Sequence, residues 1–372
     1  MKKIMVVFGT RPEAIKMCPL VLALREEKQF ETIVTVTGQH KEMLDQVLDC
    51  FGVIPHHNLD VMQENQTLFD ITITILERMK EVLLLEQPDL VLVHGDTTTT
   101  YATALSAFYL GIPVGHVEAG LRTHDIYAPF PEEFNRQSVG ILAKYHFAPT
   151  DRAACNLERE GKSKEQILVT GNTAIDALKS TIQPNYHHEV LDWAKGSRLI
   201  FLTAHRRENL GTPLRHIFQG ILRAVREFPD VKIVYPVHPN PSVIEIANEV
   251  FGEEERIRLI PPLDVIGCHN MMRHSYLVLT DSGGIQEEAP SLGKPVLVLR
   301  DVTERMEGVL AGSLLLVGTN ENKVYAAVKE MLLNEESYES MAKVKNPYGD
   351  GNASKKIVDF LREELLKETV KE

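Results

Sequence analysis

Short runs of Val, Ile and Leu recur along the chain, each parted from the next by a longer amphipathic stretch. This alternation constrains the fold more than any other feature. Ile4–Phe8, Thr32–Thr37, Leu90–Val93, Pro113–Val117 and Tyr145–Ala148 read as strands, followed by one that ends at Gly171. Leu199–Thr203, Lys232–Pro236, Tyr276–Thr280 and Val296–Leu299 read likewise. The runs are nearly continuous, as parallel strands covered on both faces require. Helical patterns fill the gaps, among them Glu13–Glu26, Gln39–Phe51, Thr67–Glu86, Thr98–Leu110, Leu214–Glu227, Pro241–Phe251 and Gly284–Leu292. Repeated βα units predict an α/β fold of two Rossmann-like, doubly wound parallel sheets. A length of 372 residues accommodates both. The polar stretch Gln183–His188 suits an exposed linker, and the hinge is placed near Gly171–Lys179. The expected domains are residues 1–172 and 173–350. A closing segment, 351–372, contains a helix over Ser354–Lys367 that returns to the first domain.

Charge excludes several function classes. Lys and Arg total 40 against 52 Asp and Glu, a net charge of −12, and no Lys/Arg block interrupts the acidic background. Sequence-independent nucleic-acid binding and a polybasic membrane patch are therefore not expected. The apolar run at Met1–Phe8 stops at Gly9, too short for a signal peptide, and no stretch approaches the ~18 apolar residues of a membrane span. Cys18, Cys50, Cys155 and Cys268 are scattered without CxxC spacing, so they read as reduced thiols of a cytoplasmic protein. No metal is expected: there is no H-E-x-x-H, and His56-His57 and His187-His188 lack neighbouring ligands.

In open α/β sheets, ligands bind beyond the C-terminal strand ends. Those turns carry the chemistry-bearing residues here. Gly9-Thr-Arg11-Pro-Glu13 follows the first strand but matches neither G-x-G-x-x-G nor a P-loop. Gly9 permits close backbone approach, and Arg11 is either an anion ligand at a helix start or a salt-bridged cap. His94-Gly-Asp96, Val117-Glu118 and Pro131-Glu132-Glu133 place carboxylates at successive turns. Asp96 either caps the next helix or serves chemistry, while Glu133 suits helix-end electrostatics. Grouped carboxylates push one another's pKa values apart, which supplies both an acid and a base. In the second half, His205-Arg-Arg207 and His238 sit at strand ends, and Asp301–Arg305 adds a cation. Ser282-Gly283-Gly284 offers consecutive backbone N–H groups to a diphosphate. Glu288 lies a turn further on, where a carboxylate can accept ribose hydroxyls.

Together these motifs resemble the non-hydrolysing UDP-N-acetylglucosamine 2-epimerases of bacteria. The likeness rests on Phe8–Lys16, Val93–Thr100, Gly115–Arg122, Pro131–Glu133, His205–Asn209, Asp281–Glu288 and Asn346–Gly351, in order along the chain. The resemblance implies the two-domain fold of GT-B glycosyltransferases, with the site in the cleft between domains. It implies interconversion of UDP-GlcNAc and UDP-ManNAc for envelope polysaccharide, with no cofactor. It assigns Asp96, Glu118, Glu132 and His205 to catalysis with Lys16 close by. Arg11, His238, Ser282, Gly283, Gly284, Glu288 and Arg305 would hold UDP. Some family members take a second UDP-GlcNAc as an allosteric activator, at positions matched here by Gln39, His40, Gln66 and Arg206. Asn65 and Glu42 depart from that pattern, and Val302 and Met306 depart from the usual loop before the C-terminal helices. The family also implies a homodimer.

The implied chemistry accounts for the residue types. The C2 proton is not flanked by a carbonyl, so loss of UDP from C1 must make it acidic and give a 2-acetamidoglucal. Readdition from the opposite face needs a second proton-transfer group, and which carboxylate serves which face stays open. A UDP-sugar-dependent GT-B glycosyltransferase would share Ser282–Gly284 and Glu288 without needing the carboxylate series. A hydrolysing epimerase would release ManNAc and UDP, and a nucleotide-sugar sensor would need no acid/base residues.

Overall fold

The computed structural model describes residues 1–38, 41–63 and 66–369. These form two compact units, residues 1–180 with 349–372, and residues 181–348. The helix Thr173–Thr181 therefore lies in the first unit for all but its final residue.

The first unit contains β1 (Lys2–Phe8), β2 (Phe30–Val36), β3 (His57–Asn58), β4 (Leu90–His94), β5 (Val114–Val117), β6 (Tyr145–Ala148) and β7 (Ile167–Val169). Their order across the sheet is β3-β2-β1-β4-β5-β6-β7, and every pairing is parallel. The chain winds outward from β1, returns to its other side at β4 and winds out again. The switch point therefore lies between β1 and β4. Alternation along β1 divides the core. Ile4, Val6 and Phe8 join Met17, Leu20 and Leu24 of the helix Arg11–Glu26 on one face. Met5 and Val7 join Ile75, Met79 and Leu83 of the helix Leu68–Glu86 on the other. Both faces of the strand are covered, which is why its sequence reads as a continuous apolar run.

The C-terminal helix Ala353–Thr369 belongs to this unit and buries Ile357, Leu361 and Leu365 in the first of those faces. Its Phe360 ring meets Tyr145 and Phe147 edge-on at 5.4 and 5.7 Å. Asp176 caps its start, accepting from the backbone N–H groups of Ala353 (3.1 Å) and Ser354 (2.8 Å).

The second unit contains β8 (Arg198–Thr203), β9 (Val231–Pro236), β10 (Ile257–Ile260), β11 (Leu277–Thr280), β12 (Val296–Val298) and β13 (Leu314–Leu316). They are ordered β10-β9-β8-β11-β12-β13, again all parallel, with the switch point between β8 and β11. The helix expected over Gly284–Leu292 is two pieces, an α-helix Gly283–Glu288 and a 3-10 turn Ala289–Leu292. Pro290 is the cause, since it cannot donate to the carbonyl four residues back. Among the described residues no helix is long and apolar enough to cross a membrane.

Candidate active site

The turns at the first switch point are held by one buried carboxylate. Glu13, 3% exposed, accepts from the N–H groups of Gly9 (3.0 Å) and Thr10 (2.8 Å) after β1. It also accepts from the hydroxyls of Thr97 (2.7 Å) and Thr100 (3.2 Å) after β4. Thr10 and Glu13 form a reciprocal capping box, which places Arg11 as the first residue of its helix. Gly9 fits because a β-carbon there would lie 2.0 Å from the Thr37 hydroxyl.

Thr97, not Asp96, caps the helix Thr98–Tyr109, through the N–H of Thr100 at 3.2 Å. The Asp96 carboxylate instead pairs with Arg136, whose guanidinium also reaches Glu133 at 3.2 Å. Burial pushes the Asp96 carboxyl above its ordinary value; Arg136 opposes this, and the charges of Glu118 and Glu132 add to the rise. Thus the charges of Glu118 and Glu132 bear on the Asp96 carboxyl in the folded unit.

Glu118, just beyond β5, pairs with Lys16 of the helix Arg11–Glu26 and accepts from the Asn172 amide at 2.8 Å. Its backbone has φ +63°, a left-handed conformation that costs a non-glycine residue about 1–2 kcal/mol. His94 Nε2 lies 3.8 Å from the same carboxylate. Burial drives the His94 imidazole down to about 4, so it is neutral near pH 7. His116, driven by burial to about 3, is also neutral. Its Nε2–H donates to the Gly95 carbonyl at 2.7 Å, pinning the turn that carries Asp96. Glu132 opens the helix Glu132–Leu142, and its buried Oε2 finds no partner among the described residues. Glu133 does more than favour a helix start. Fully buried, it accepts from the N–H groups of Thr123 (3.1 Å) and His124 (3.2 Å) and from the Gln137 amide (2.8 Å), fixing the loop before its own helix.

In the second unit Asp281 organises the switch point. Wholly buried beyond β11, it accepts through Oδ2 from the N–H groups of His205 and Arg206, both at 2.8 Å, and from the Asn209 amide at 3.0 Å. Asp281 Oδ1 lies 3.8 Å from His205 Nδ1. Burial lowers the His205 imidazole below its ordinary value, and the Asp281 charge works against that fall. The His205 ring stacks on His238 at 5.0 Å with 14° between planes. The Ser282 N–H is already donated to the Thr280 hydroxyl at 2.9 Å, so Gly283 and Gly284 supply the first backbone donors of the helix. Arg305 lies against that turn, its guanidinium carbon 3.3 Å from where a Gly283 β-carbon would stand. It is also paired with Glu287 and Glu304, both at 2.9 Å. Glu288, 9% exposed, sits 3.3 Å from His269 Nε2.

Arg136, Asn172 and Asp281 were not singled out as site residues from sequence. Arg136 follows Glu132 by one helical turn, a spacing that could have drawn attention to it. Nothing local marks Asn172, whose partner Glu118 is 54 residues away. Of the suggested effector residues, Gln39 and His40 lie outside the described residues, as does Asn65. The Gln66 amide is committed to its own loop, donating to the Val61 carbonyl (2.6 Å) and accepting from the Gln63 N–H (2.8 Å). Arg206 lies in the second unit, its backbone held by Asp281. Among the described residues no group of three His, Cys, Asp or Glu could hold a metal ion.

Carboxylates, a lysine and histidines gathered beyond the strand ends of two doubly wound parallel sheets define an α/β enzyme with Rossmann-like units. The family model described as UDP-N-acetylglucosamine 2-epimerase matches residues 22–362. The UDP-N-acetylglucosamine 2-epimerase of Bacillus subtilis is 56% identical over 359 residues, covering 96% of this chain and 94% of that one. The crystal structure of a putative UDP-N-acetylglucosamine 2-epimerase from Listeria monocytogenes superposes with a TM-score of 0.95 at 52% identity, covering 99% and 98% of the two chains. The Neisseria meningitidis UDP-GlcNAc 2-epimerase, in a structure bound to UDP-GlcNAc, gives 0.88 at 44% identity, covering 97% and 100%. The chain belongs to the UDP-N-acetylglucosamine 2-epimerase family. It is accordingly an isomerase, built on the two parallel-sheet units of the GT-B type.

Proposed function

We propose that this chain interconverts UDP-GlcNAc and UDP-ManNAc without hydrolysis, by eliminating UDP and adding it back. The C1–O bond to UDP breaks as a base removes the C2 proton, leaving a C1–C2 double bond in 2-acetamidoglucal. UDP then returns to C1 while an acid protonates C2 on the other face, so atoms and charge balance and no redox partner is needed. The observation that carries this reading is the placement of Asp96, Glu118 and Glu132 in the turns beyond β4 and β5 of one sheet, with Glu118 paired to Lys16. A nucleotide sensor or a simple transferase has no use for several proton-transfer groups in one place.

Asp96, Glu118 and Glu132 share the proton transfers. Asp96, raised by burial, is the more ready to hold a proton, whereas Glu118 faces an ammonium and an amide donor that favour its charge. His205, with Arg11, His238 and Arg305, would balance the diphosphate as it leaves. Gly283 and Gly284 would donate to it, and Glu288 would accept from the ribose hydroxyls. The Neisseria relative holding UDP-GlcNAc supports this nucleotide sugar as the substrate. Activation by a second UDP-GlcNAc would use Gln39, His40, Gln66 and Arg206, and the product would feed envelope polysaccharide.

One experiment tests the scheme. UDP-GlcNAc is incubated with the protein in deuterated water and followed by proton NMR. UDP-ManNAc carrying deuterium at C2 is the expected product. Free ManNAc would select hydrolysis, and UDP release only with an added acceptor would select glycosyl transfer. Epimerisation with retention of the C2 proton would defeat exchange at the carboxylates.

A further inference from the structure

Behind Glu288 runs a buried polar chain that the proposed chemistry does not use. His269, on the helix Val265–His274, is 2% exposed. Its Nε2 lies 3.3 Å from Glu288 Oε2, and its Nδ1 lies 2.7 Å from the Thr181 hydroxyl. Thr181 is wholly buried. The next residue of the same helix, Asn270, secures the other side of the arrangement. Its amide donates to the Thr181 carbonyl at 2.7 Å, and its oxygen accepts from the Gln183 N–H at 2.9 Å.

A Thr181 hydroxyl that donates to Nδ1 puts the ring proton on Nε2, the nitrogen that lies 3.3 Å from Glu288 Oε2. Such a contact fixes which carboxylate oxygen is engaged and which lone pairs remain for a ligand. We infer that His269 is a positioning residue for Glu288 and sets the preference of the nucleotide site for a ribose over a deoxyribose. The inference rests on Glu288 being the ribose acceptor, as proposed above. A carboxylate oriented to receive vicinal hydroxyls loses a charge-assisted hydrogen bond when one hydroxyl is missing. A carboxylate free to swing pairs with whatever hydroxyl remains, and the preference shrinks.

The test compares the dissociation constants of UDP and 2′-deoxy-UDP by calorimetry, in the full-length protein. The wild type is expected to favour UDP by about tenfold or more, the scale of one hydrogen bond to a charged group. His269→Phe should narrow that ratio to about twofold, and His269→Gln, which retains an amide donor, should restore most of it. Thr181→Val, nearly isosteric, should narrow the ratio partway by freeing the imidazole. A general loss of packing would weaken both nucleotides alike and leave the ratio unmoved. An unchanged ratio in His269→Phe, or in Thr181→Val should the former not fold, overturns the inference. Glu288→Gln separates this from the underlying reading. If that variant abolishes the preference while the His269 and Thr181 variants keep it, Glu288 reads the ribose unaided. If Glu288→Gln itself keeps the preference, Glu288 is not the ribose acceptor and both proposals fall.

Discussion

Lys16 and Glu118 form an ion pair between a helix that follows β1 and the turn that follows β5, with Asn172 closing the same carboxylate from a third element. Their side chains are 13% and 10% exposed, so the pair is desolvated and each partner depends on the other. Glu118→Gln should fold, keeping an acceptor for Asn172 but removing the charge opposite Lys16, and lose turnover about a hundredfold to ten-thousandfold. Deuterium exchange at C2 should fall with it, and full turnover in this variant would remove Glu118 from the scheme.

The left-handed backbone at Glu118 gives a separate handle. Glycine occupies φ +63° without strain, so Glu118→Gly relieves about 1 kcal/mol that Glu118→Gln retains. Both are expected to be inactive. Thermal midpoints should nonetheless rank glycine at or above glutamine, the reverse of the order for a residue with ordinary extended backbone.

Arg136 neutralises Asp96 and Glu133 together. Arg136→Met leaves two recessed carboxylates unmatched and should cost about 3 kcal/mol, measured by denaturant unfolding. Adding Glu133→Gln removes a charge but turns an amide NH2 onto the N–H donors of Thr123 or of His124 and Gln137, so the double variant should be no more stable than Arg136→Met alone.

Three buried histidines of the first sheet set an acid limit. Burial holds His116 near 3 and His94 and His146 near 4, whereas each titrates near 6.5 when unfolded. Between those values the unfolded chain binds more protons than the folded one. Stability therefore falls as pH drops from about 6.5 toward about 4, at up to ~1.4 kcal/mol per pH unit for each histidine. Neither nitrogen of His146 has a partner among the described residues, so His146→Leu removes a titrating group without breaking a bond. The fall in thermal midpoint between pH 6.5 and pH 4.5 should be smaller in this variant than in the wild type.

Asp281 raises the imidazole of His205 against the effect of burial. Asp281→Asn keeps an oxygen for the backbone donors of His205 and Arg206 but removes the charge. The His205 titration, followed by NMR of its ring proton, should move to lower pH. Asp281→Ala leaves three donors unmet and should destabilise the unit by about 3 kcal/mol or more.

The sequence made the inner strands plain and hid the outer ones. β1, β4, β8 and β11 are covered on both faces and read as apolar runs. β3, β10 and β13, none of them read as a strand from sequence, are all sheet edges. The reasons are local: β3 is only His57-Asn58, β10 is broken by Arg258, and β13 is three residues long. Site residues divide in the same way. Asp96, Glu118, Glu132 and His205 stand at strand ends or helix starts, where position alone suggests chemistry. Asn172 and, for its pairing with Asp96, Arg136 matter through partners 54 and 40 residues away that folding brings to them. At Asp96 the structure rules out only the cap, which is Thr97, since either side chain suits an N-cap on paper.

The helix Ala353–Thr369 places Ile357, Leu361 and Leu365 in the core of a unit whose other residues were synthesised first. Residues 181–348 form a contiguous unit, whereas the first unit is assembled from two stretches that the whole of the second separates. The unit begun first thus waits for residues 349–372, with part of the apolar face around Met17, Leu20 and Leu24 uncovered until they emerge. The unit that carries Asp96, Glu118 and Glu132 therefore closes only through a long-range contact, and detaching 349–372 would bare the apolar face of the Arg11–Glu26 helix.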